Sequence, residues 1–332
     1  MDLITGGTGI VGVHLLQACT AAGDRVRALY RKGSYRSIVA RVFEHYGDEP
    51  EKRLQLIEWA EGDLHDIGSL TDAMNGIDRV YHCAAKVSFA PGDRKELFRV
   101  NAGGTANVVN AALIEGVKRL CHVSSTATIG HAPAGIERDE TLPWTGDRNT
   151  SPYAASKYEA ELEVYRGIAE GLDAVIVNPS IVIGPGMPGR SSLTMIERLQ
   201  NGTRFFPPGS NAVVDARDVA DCMRVLMERG GTGERYLIVG HNVSYEQLFT
   251  KIAGIFGSRE PHIALSPTVL KLAWRLEHLR SIFTGSKPLI TRSTVHSSII
   301  QRSFSNAKVK KAIGHEFRSL QDTIANVSDI LG

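Results

Sequence analysis

Cysteine is scarce in this 332-residue chain, which has four. Cys19, Cys83, Cys121 and Cys222 stand far apart, with no Cys-x-x-Cys pair and no framework spacing. A disulfide scaffold is thereby excluded. Cys83 and Cys121, set in apolar runs, read as buried reduced thiols of a cytoplasmic protein. Long apolar runs are missing as well, since none approaches the ~20 residues that cross a bilayer. The start, Met1-Asp2-Leu3-Ile4, enters a strand-like run directly and leaves no room for a signal peptide. Charge of one sign is lacking too: the formal net charge is +2, with no basic run or basic–aromatic stripe suited to nucleic acid. The 11 histidines form no His-x-x-x-His pair and no Cys/His cluster, and there is no acidic metal loop, so no metal is expected. Internal repeats and low-complexity segments are absent.

What remains is an ordinary globular composition, 42% hydrophobic and 22% charged. The length suits one large α/β domain with a smaller lobe. Apolar runs alternate with helical patterns, as βαβ units of a parallel sheet require. Strands are expected at 3–5, 26–30, 54–59, 80–83, 120–124, 174–178 and 236–239. Helices are expected at 11–22, 34–46, 101–115 and 152–169, with Pro152 acceptable in a first turn. After Asn178 the pattern turns irregular, with Gly184-Pro185-Gly186-Met187-Pro188-Gly189 and Phe206-Pro207-Pro208-Gly209 reading as turns. The expected organisation is a dinucleotide-binding domain over 1–178, completed by 213–240. A mostly helical substrate lobe would be assembled from 179–212 and 241–332.

Two motifs carry chemistry. Leu3-Ile4-Thr5-Gly6-Gly7-Thr8-Gly9-Ile10-Val11-Gly12 is a short strand breaking into a glycine-spaced turn that opens a helix. Such a turn brings backbone close to a pyrophosphate and aims a helix N-terminus at its charge. Ser151-Pro152-Tyr153-Ala154-Ala155-Ser156-Lys157 places a phenol and an ammonium one helical turn apart on one face. A nearby cation favours phenolate and lowers the tyrosine pKa toward the range useful for proton transfer. Together the two motifs suggest hydride transfer at a carbonyl or alcohol.

Four further segments follow in order: Gly62-Asp63-Leu64, His82-Cys83-Ala84-Ala85, Asn101-Ala102-Gly103-Gly104-Thr105 and Val123-Ser124-Ser125-Thr126. With these motifs, spanning roughly the first two-thirds of its length, the chain resembles the extended short-chain dehydrogenase/reductases. That superfamily includes sugar-nucleotide epimerases, dihydroflavonol reductases and 3β-hydroxysteroid dehydrogenases. The resemblance implies a doubly wound α/β Rossmann sheet with a substrate lobe. It further implies a nicotinamide cofactor, a small-molecule carbonyl or alcohol substrate, and a homodimer built on paired helices.

By the same resemblance, Gly6, Thr8, Gly9, Ile10 and Gly12 form the phosphate turn. Asp63 and Leu64 meet the adenine, although an Asp capping the next helix explains Asp63 as well. Ala84 and Ala85 let the backbone lie against the cofactor, and Pro179 adds a further contact. Lys86 faces either ligand or solvent. Asn101 supports the architecture beside the site. The hydroxyl that orients the substrate oxygen aligns with Thr126, with Ser125 as its neighbour. Tyr153 is the proton donor, and Lys157 tunes it and holds the nicotinamide ribose.

The end of the second strand bears on the cofactor. NAD sites place a carboxylate there for the ribose 2′-hydroxyl, whereas NADP sites offer a cation to the 2′-phosphate. The chain has Tyr30-Arg31-Lys32-Gly33, two cations and no acid, which favours NADP over NAD. Sugar-nucleotide enzymes of the superfamily carry Arg-x-x-Asn-x-Tyr-Gly-Pro where this chain has Asn178-Pro179-Ser180-Ile181-Val182-Ile183-Gly184-Pro185. Loss of both polar residues favours an apolar substrate over a nucleotide sugar. The pattern looks closer to the dihydroflavonol reductase and hydroxysteroid dehydrogenase branch. An epimerase or dehydratase is the competing enzyme reading, and a cofactor-sensing binding protein is the competing non-enzyme reading. Retention of the Tyr–Lys pair argues against the sensor.

Finally, Val269, Leu272, Leu276, Leu279 and Phe283 repeat at helical spacing, with Lys271, Arg275, His278 and Arg280 on the remaining surface. The ordinary expectation is a helix packing this stripe onto the substrate lobe. The alternatives are a lid over an apolar substrate or a contact with a membrane surface.

Overall fold

The computed structural model describes every residue except 48, 134, 191, 285, 287, 289 and 332. Its main body is a seven-stranded, wholly parallel sheet flanked by helices on both faces. In chain order the first part runs β1 (Asp2–Thr5), α1 (Ile10–Ala21), β2 (Val26–Tyr30), α2 (Ser37–Tyr46), α3 (Pro50–Leu54) and β3 (Ile57–Glu61). It continues with α4 (Ile67–Met74), β4 (Arg79–His82), α5 (Arg94–Phe98), α6 (Gly104–Ile114), β5 (Arg119–Val123), α7 (Pro152–Ala169) and β6 (Ala174–Pro179). Later in the chain come β7 (Ile181–Ile183), α8 (Leu193–Leu199), β8 (Phe205–Phe206), β9 (Ser210–Asp215), α9 (Ala216–Arg229) and β10 (Arg235–Ile238). The last elements are β11 (His241–Ser244), α10 (Tyr245–Ile255), β12 (Ile263–Ala264), α11 (Pro267–Thr284), α12 (Arg292–Ile299), α13 (Ala307–Ile313) and α14 (Leu320–Leu331).

The strand order is β10-β6-β5-β4-β1-β2-β3. Successive side chains of a strand point to opposite faces, and here both faces are dry. Ile4 joins one core with α1, α2 and α9, while its neighbour Leu3 joins the other with α4, α6 and α7. This is why the strands read as continuous apolar runs instead of alternating ones. The order reverses between β1 and β4, so the crevice beyond their carboxyl ends is where such a sheet takes a ligand.

Three local expectations shift. The third strand begins at Ile57, not Leu54, because Pro50 opens a short helix that Leu54 closes. The helix expected from Asn101 starts with a π-type turn at Arg99–Gly103 that buries Asn101, and only then becomes regular. The return to the main sheet is carried by α9 and β10, and β10 pairs with β6. Val213–Asp215 instead belong to β9, which with β7 and β11 forms a separate three-stranded sheet. That sheet and helices α8, α10 and α14 enclose a third apolar core around Ile183, Leu248 and Val327.

The packing expectation for the stripe on α11 is overturned. Val269, Leu272, Leu276, Leu279 and Phe283 are all more than half exposed, and Leu270 is the buried residue of this helix. Periodicity locates a stripe but not the side the protein lies on; here Leu270, with half-buried Ala273, Trp274 and Glu277, faces inward. Among the described residues no helix is long and apolar enough to cross a membrane. Cys19, Cys121 and Cys222 are buried free thiols, and Cys83 is half-buried.

Candidate active site

The glycine turn sits at the switch point. Gly6 has φ +70°, and a Cβ there would lie 2.6 Å from the backbone nitrogen of Ala84, at the end of β4. A Cβ on Gly12 would lie 2.2 Å from the Gly6 carbonyl oxygen. Both positions therefore need glycine for close backbone approach, one strand-to-strand and one within the turn. Gly9 is exposed and occupies the N-cap of α1, where no side chain caps the helix and no acid stands in the first turn. Thr8 and Ile10 beside it are half-buried. Helix amides left without a cap, at an open glycine, form a cradle for an anionic diphosphate. The turn thus fits a dinucleotide.

The other proposed cofactor contacts surround this cradle. The Ala84 amide donates to Thr5 Oγ1, and Ala85 is exposed. Asp63 Oδ1 accepts from the His65 amide, whereas Asp66 caps α4, so the capping explanation for Asp63 does not hold. The Leu64 side chain lies against Gly104, and its carbonyl accepts from Asn107 Nδ2. Asn101 closes a two-way bond with the backbone of Lys86 and donates from Nδ2 to Ser156 Oγ, tying the loop after β4 to α7. Pro179 ends β6, buried, opposite Ile238. Arg31 and Lys32 are exposed, and their side chains have no hydrogen-bond or ion-pair partner among the described residues, although the Arg31 carbonyl accepts from the Ser34 amide. Beside them, the Arg36 guanidinium stacks over the Tyr30 ring at 4.4 Å, and the Tyr30 hydroxyl donates to Glu61. Glu61, a carboxylate beside this strand end, is thus on β3 and engaged by a phenol.

Helix α7 carries the candidate chemistry. Ser151 caps it by accepting from the Ala154 amide, and Pro152 follows in the first turn. Tyr153, on that turn, is half-buried, with the Phe89 ring edge-on at 5.8 Å. Burial raises its pKa, and a hydrogen bond with Ser125 opposes the rise. The expected lowering by Lys157 is not found. The Lys157 ammonium is fully buried, donates to the Val123 carbonyl at 2.7 Å and lies 3.4 Å from His122 Nε2. Burial holds its own pKa down at about 8, with Glu161 and Cys83 opposing. The hydroxyl meeting Tyr153 is accordingly that of Ser125, which also accepts from the Ala127 amide. Thr126, ranked first by alignment, is buried at the start of the short turn that follows.

Beneath these groups lies a polar network that motif reading missed. Glu161, one turn beyond Lys157 and fully buried, accepts through Oε1 from Ser124 Oγ, from Thr128 Oγ1 at 2.7 Å and from Asn178 Nδ2 at 2.6 Å. Its Oε2 faces Arg235 of β10 at 3.4 Å. Asn178 Nδ2 also reaches the Ser125 carbonyl at 3.2 Å. Ser125 is thus held through Asn178 and Glu161, and the three-strand edge β5-β6-β10 is pinned to α7. The i, i+4, i+8 spacing of Tyr153, Lys157 and Glu161 on one face was the available signal. On the other side, His82 bonds Thr5 and Thr105, and burial depresses its pKa to about 3. His122 is likewise driven well below the usual range by burial, so the lysine's neighbours are neutral imidazoles. His14, given no role from the sequence, bonds the Ile10 carbonyl and Tyr46 beneath the cradle.

A glycine cradle at the switch point of a parallel sheet, facing a Tyr–Lys helix, defines a nicotinamide-dependent short-chain dehydrogenase/reductase of the extended type. The comparisons agree. The model of the NAD dependent epimerase/dehydratase family matches residues 3–239, and the chain belongs to that family. Sterol demethylase protein B of Methylococcus capsulatus is 33% identical over 81% of this chain and 78% of its own. A Synechocystis sp. protein named as a dihydroflavonol 4-reductase is 30% identical over 97% of this chain and 92% of its own. The crystal structure of gox2253 superposes with a TM-score of 0.82 at 30% identity, covering 100% of this chain and 97% of that one. The protein is thus an NAD(P)-dependent enzyme of this family.

Proposed function

We propose that the protein is an NADP-preferring oxidoreductase that reduces a ketone or aldehyde on an apolar small molecule, or oxidises the corresponding alcohol. The dinucleotide, when bound, supplies or accepts the hydride. The chain's part is position and proton handling. Gly6, Gly9, Gly12 and the open α1 N-terminus would hold the diphosphate, and Arg31 with Lys32 would face a 2′-phosphate. Tyr153 gives its hydroxyl proton to the substrate oxygen as negative charge develops there, and takes it back in oxidation. Ser125, the hydroxyl beside Tyr153, orients that oxygen, with Thr126 behind it. Lys157 keeps positive charge behind the phenol at pH values below about 8. Organisation into a nucleotide unit of 1–178 completed by α9 and β10, with a substrate lobe from the remaining segments, is part of this reading, as is a homodimer.

The observation that carries the reductase reading over a nucleotide-sugar one is the fate of Asn178. It stands where a sugar-nucleotide enzyme of the superfamily has arginine, and its side chain is buried, with Nδ2 donating to Glu161, Thr128 and Ser125. It has no freedom to meet a diphosphate. Phe89, whose ring lies edge-on to Tyr153, and Val87 two residues before it are each nearly half exposed, offering apolar surface on that loop. Relatives in the family include a Stigmatella aurantiaca quinoline-oxide ketoreductase and a Stenotrophomonas maltophilia 2-alkyl-3-oxoalkanoate reductase. The test is NADPH consumption over a panel of apolar ketones and aldehydes, alongside titration with UDP- and dTDP-sugars. Turnover of an apolar carbonyl with no tight sugar binding is expected. A micromolar dissociation constant for a nucleotide sugar, roughly −8 kcal/mol, would reverse the ranking.

A further inference from the structure

Helix α11 presents an apolar stripe outward. Val269, Leu272, Leu276, Leu279 and Phe283 are 51, 56, 59, 51 and 86% exposed, with Ile282 beside them at 61%. Soluble proteins seldom leave so many large apolar side chains contiguous unless the patch has an occupant. The stripe spans four turns of one 18-residue helix, and Leu270 anchors the opposite side in the protein.

Charge identifies the occupant. Lys271 and Arg275 are exposed along one border of the stripe, and Arg280 lies at the other. Within the helix, Lys271, Arg275 and Arg280 stand against Glu277 as the single acid. That acid pairs with Arg280, as the Arg280 Nε bond to Glu277 at 2.8 Å shows. A second copy of this chain would set like charges against like. An apolar stripe with cationic borders and a half-buried Trp274 instead matches an anionic bilayer surface, where apolar groups enter the acyl boundary and cations meet headgroups. Beneath the same helix, a cavity of about 640 Å³ is lined by Lys271, Trp274, Arg275 and residues of α12, and by Asn149. Asn149 lies just ahead of the helix that carries Tyr153.

We infer that α11 docks the protein onto anionic lipid bilayers by its exposed apolar face, with Lys271 and Arg275 on the headgroups. Lys271 and Arg275, which also line this cavity, would then sit at the bilayer surface, which suits a substrate that partitions into lipid. That last step rests on the reading given under Proposed function, whereas the docking does not.

The experiment is co-sedimentation of the full chain with phosphatidylserine-rich vesicles and with pure phosphatidylcholine vesicles, at low and high salt. Light scattering of the free protein accompanies it. The protein should sediment with the anionic vesicles and be released by salt. Lys271→Glu with Arg275→Glu should weaken binding by roughly fivefold or more per cation, the contribution of one basic side chain at such a surface. Leu276→Asp with Leu279→Asp should abolish binding. These leucines are solvent-facing, so far-ultraviolet circular dichroism should be unchanged, and the charge variant tests the same claim independently. Failure of the wild type to sediment would overturn the inference, as would binding that both variants retain. So would self-association lost in Leu276→Asp/Leu279→Asp without vesicle binding, which would assign the stripe to a second copy. Because the readout is binding, a failure here leaves the reductase reading standing, and loss of reductase activity leaves the docking standing.

Discussion

Replacing Lys157 by methionine should separate the electrostatic cost of this residue from its use. Its ammonium is fully buried, and its pKa falls from 10.5 to about 8. The folded protein therefore releases this proton near pH 8, while the unfolded chain keeps it until about 10.5. Between those values the unfolded state binds more protons, so stability rises with pH. Integrating the two titrations, burying the charge costs about 3 kcal/mol at pH 7 and about 2 kcal/mol at pH 9. The wild type should thus gain roughly 1.3 kcal/mol from pH 7 to 9 relative to Lys157→Met, whatever other groups titrate in both proteins. The offset between the two also contains the hydrogen bond to the Val123 carbonyl, worth about 1 kcal/mol. The difference in slope does not. Urea unfolding of both proteins without cofactor, at half-unit steps from pH 7 to 9, measures it. Parallel profiles would refute the claim that burial holds the Lys157 pKa down near 8 in the free protein, and a slope of opposite sign would refute its burial.

Three further outcomes follow from particular contacts. Gly12→Ala places a Cβ against the Gly6 carbonyl, so the cradle must shift, and dinucleotide affinity should fall at least tenfold in a fluorescence titration. Arg31→Ala with Lys32→Ala should leave NADH binding nearly unchanged while weakening NADPH by roughly tenfold or more, as loss of charge-assisted bonds requires; equal losses for both cofactors would reject the 2′-phosphate assignment. Glu161→Gln turns one acceptor of the buried network into a donor facing Arg235, so stability should fall by about 1–3 kcal/mol. Because Ser125 is held through Asn178, kcat should fall more than KM changes; an unchanged kcat would make Glu161 purely structural.

Much of the scaffold is legible in the sequence because the signals are local. Ser151-Pro152 caps and opens α7, and the tail of that helix follows from its apolar spacing, so its bounds are read directly. The parallel sheet is legible because strands buried on both faces show as uninterrupted apolar runs. What escapes the sequence is set partly by the local turn and partly by partners far along the chain. Leu54 looks like strand until Pro50 is seen opening a helix. The choice between Ser125 and Thr126 depends on how the chain turns after β5, which alignment does not resolve. Glu161 looks like an exposed helix acid because Arg235 stands 74 residues away. The α11 stripe has the period of a packed helix, and only the placement of the remaining lobe shows that it faces outward.

Deuteride transfer tests the central claim most directly. The protein would be incubated with NADPH carrying deuterium at the transferable nicotinamide position and an apolar ketone, and the alcohol analysed by mass spectrometry. The account predicts one deuterium at the carbinol carbon with the wild type. It predicts nearly none with Tyr153→Phe, although that variant still binds NADPH. Unlabelled or absent alcohol from the wild type across the ketone panel, or full labelling by Tyr153→Phe, would contradict it.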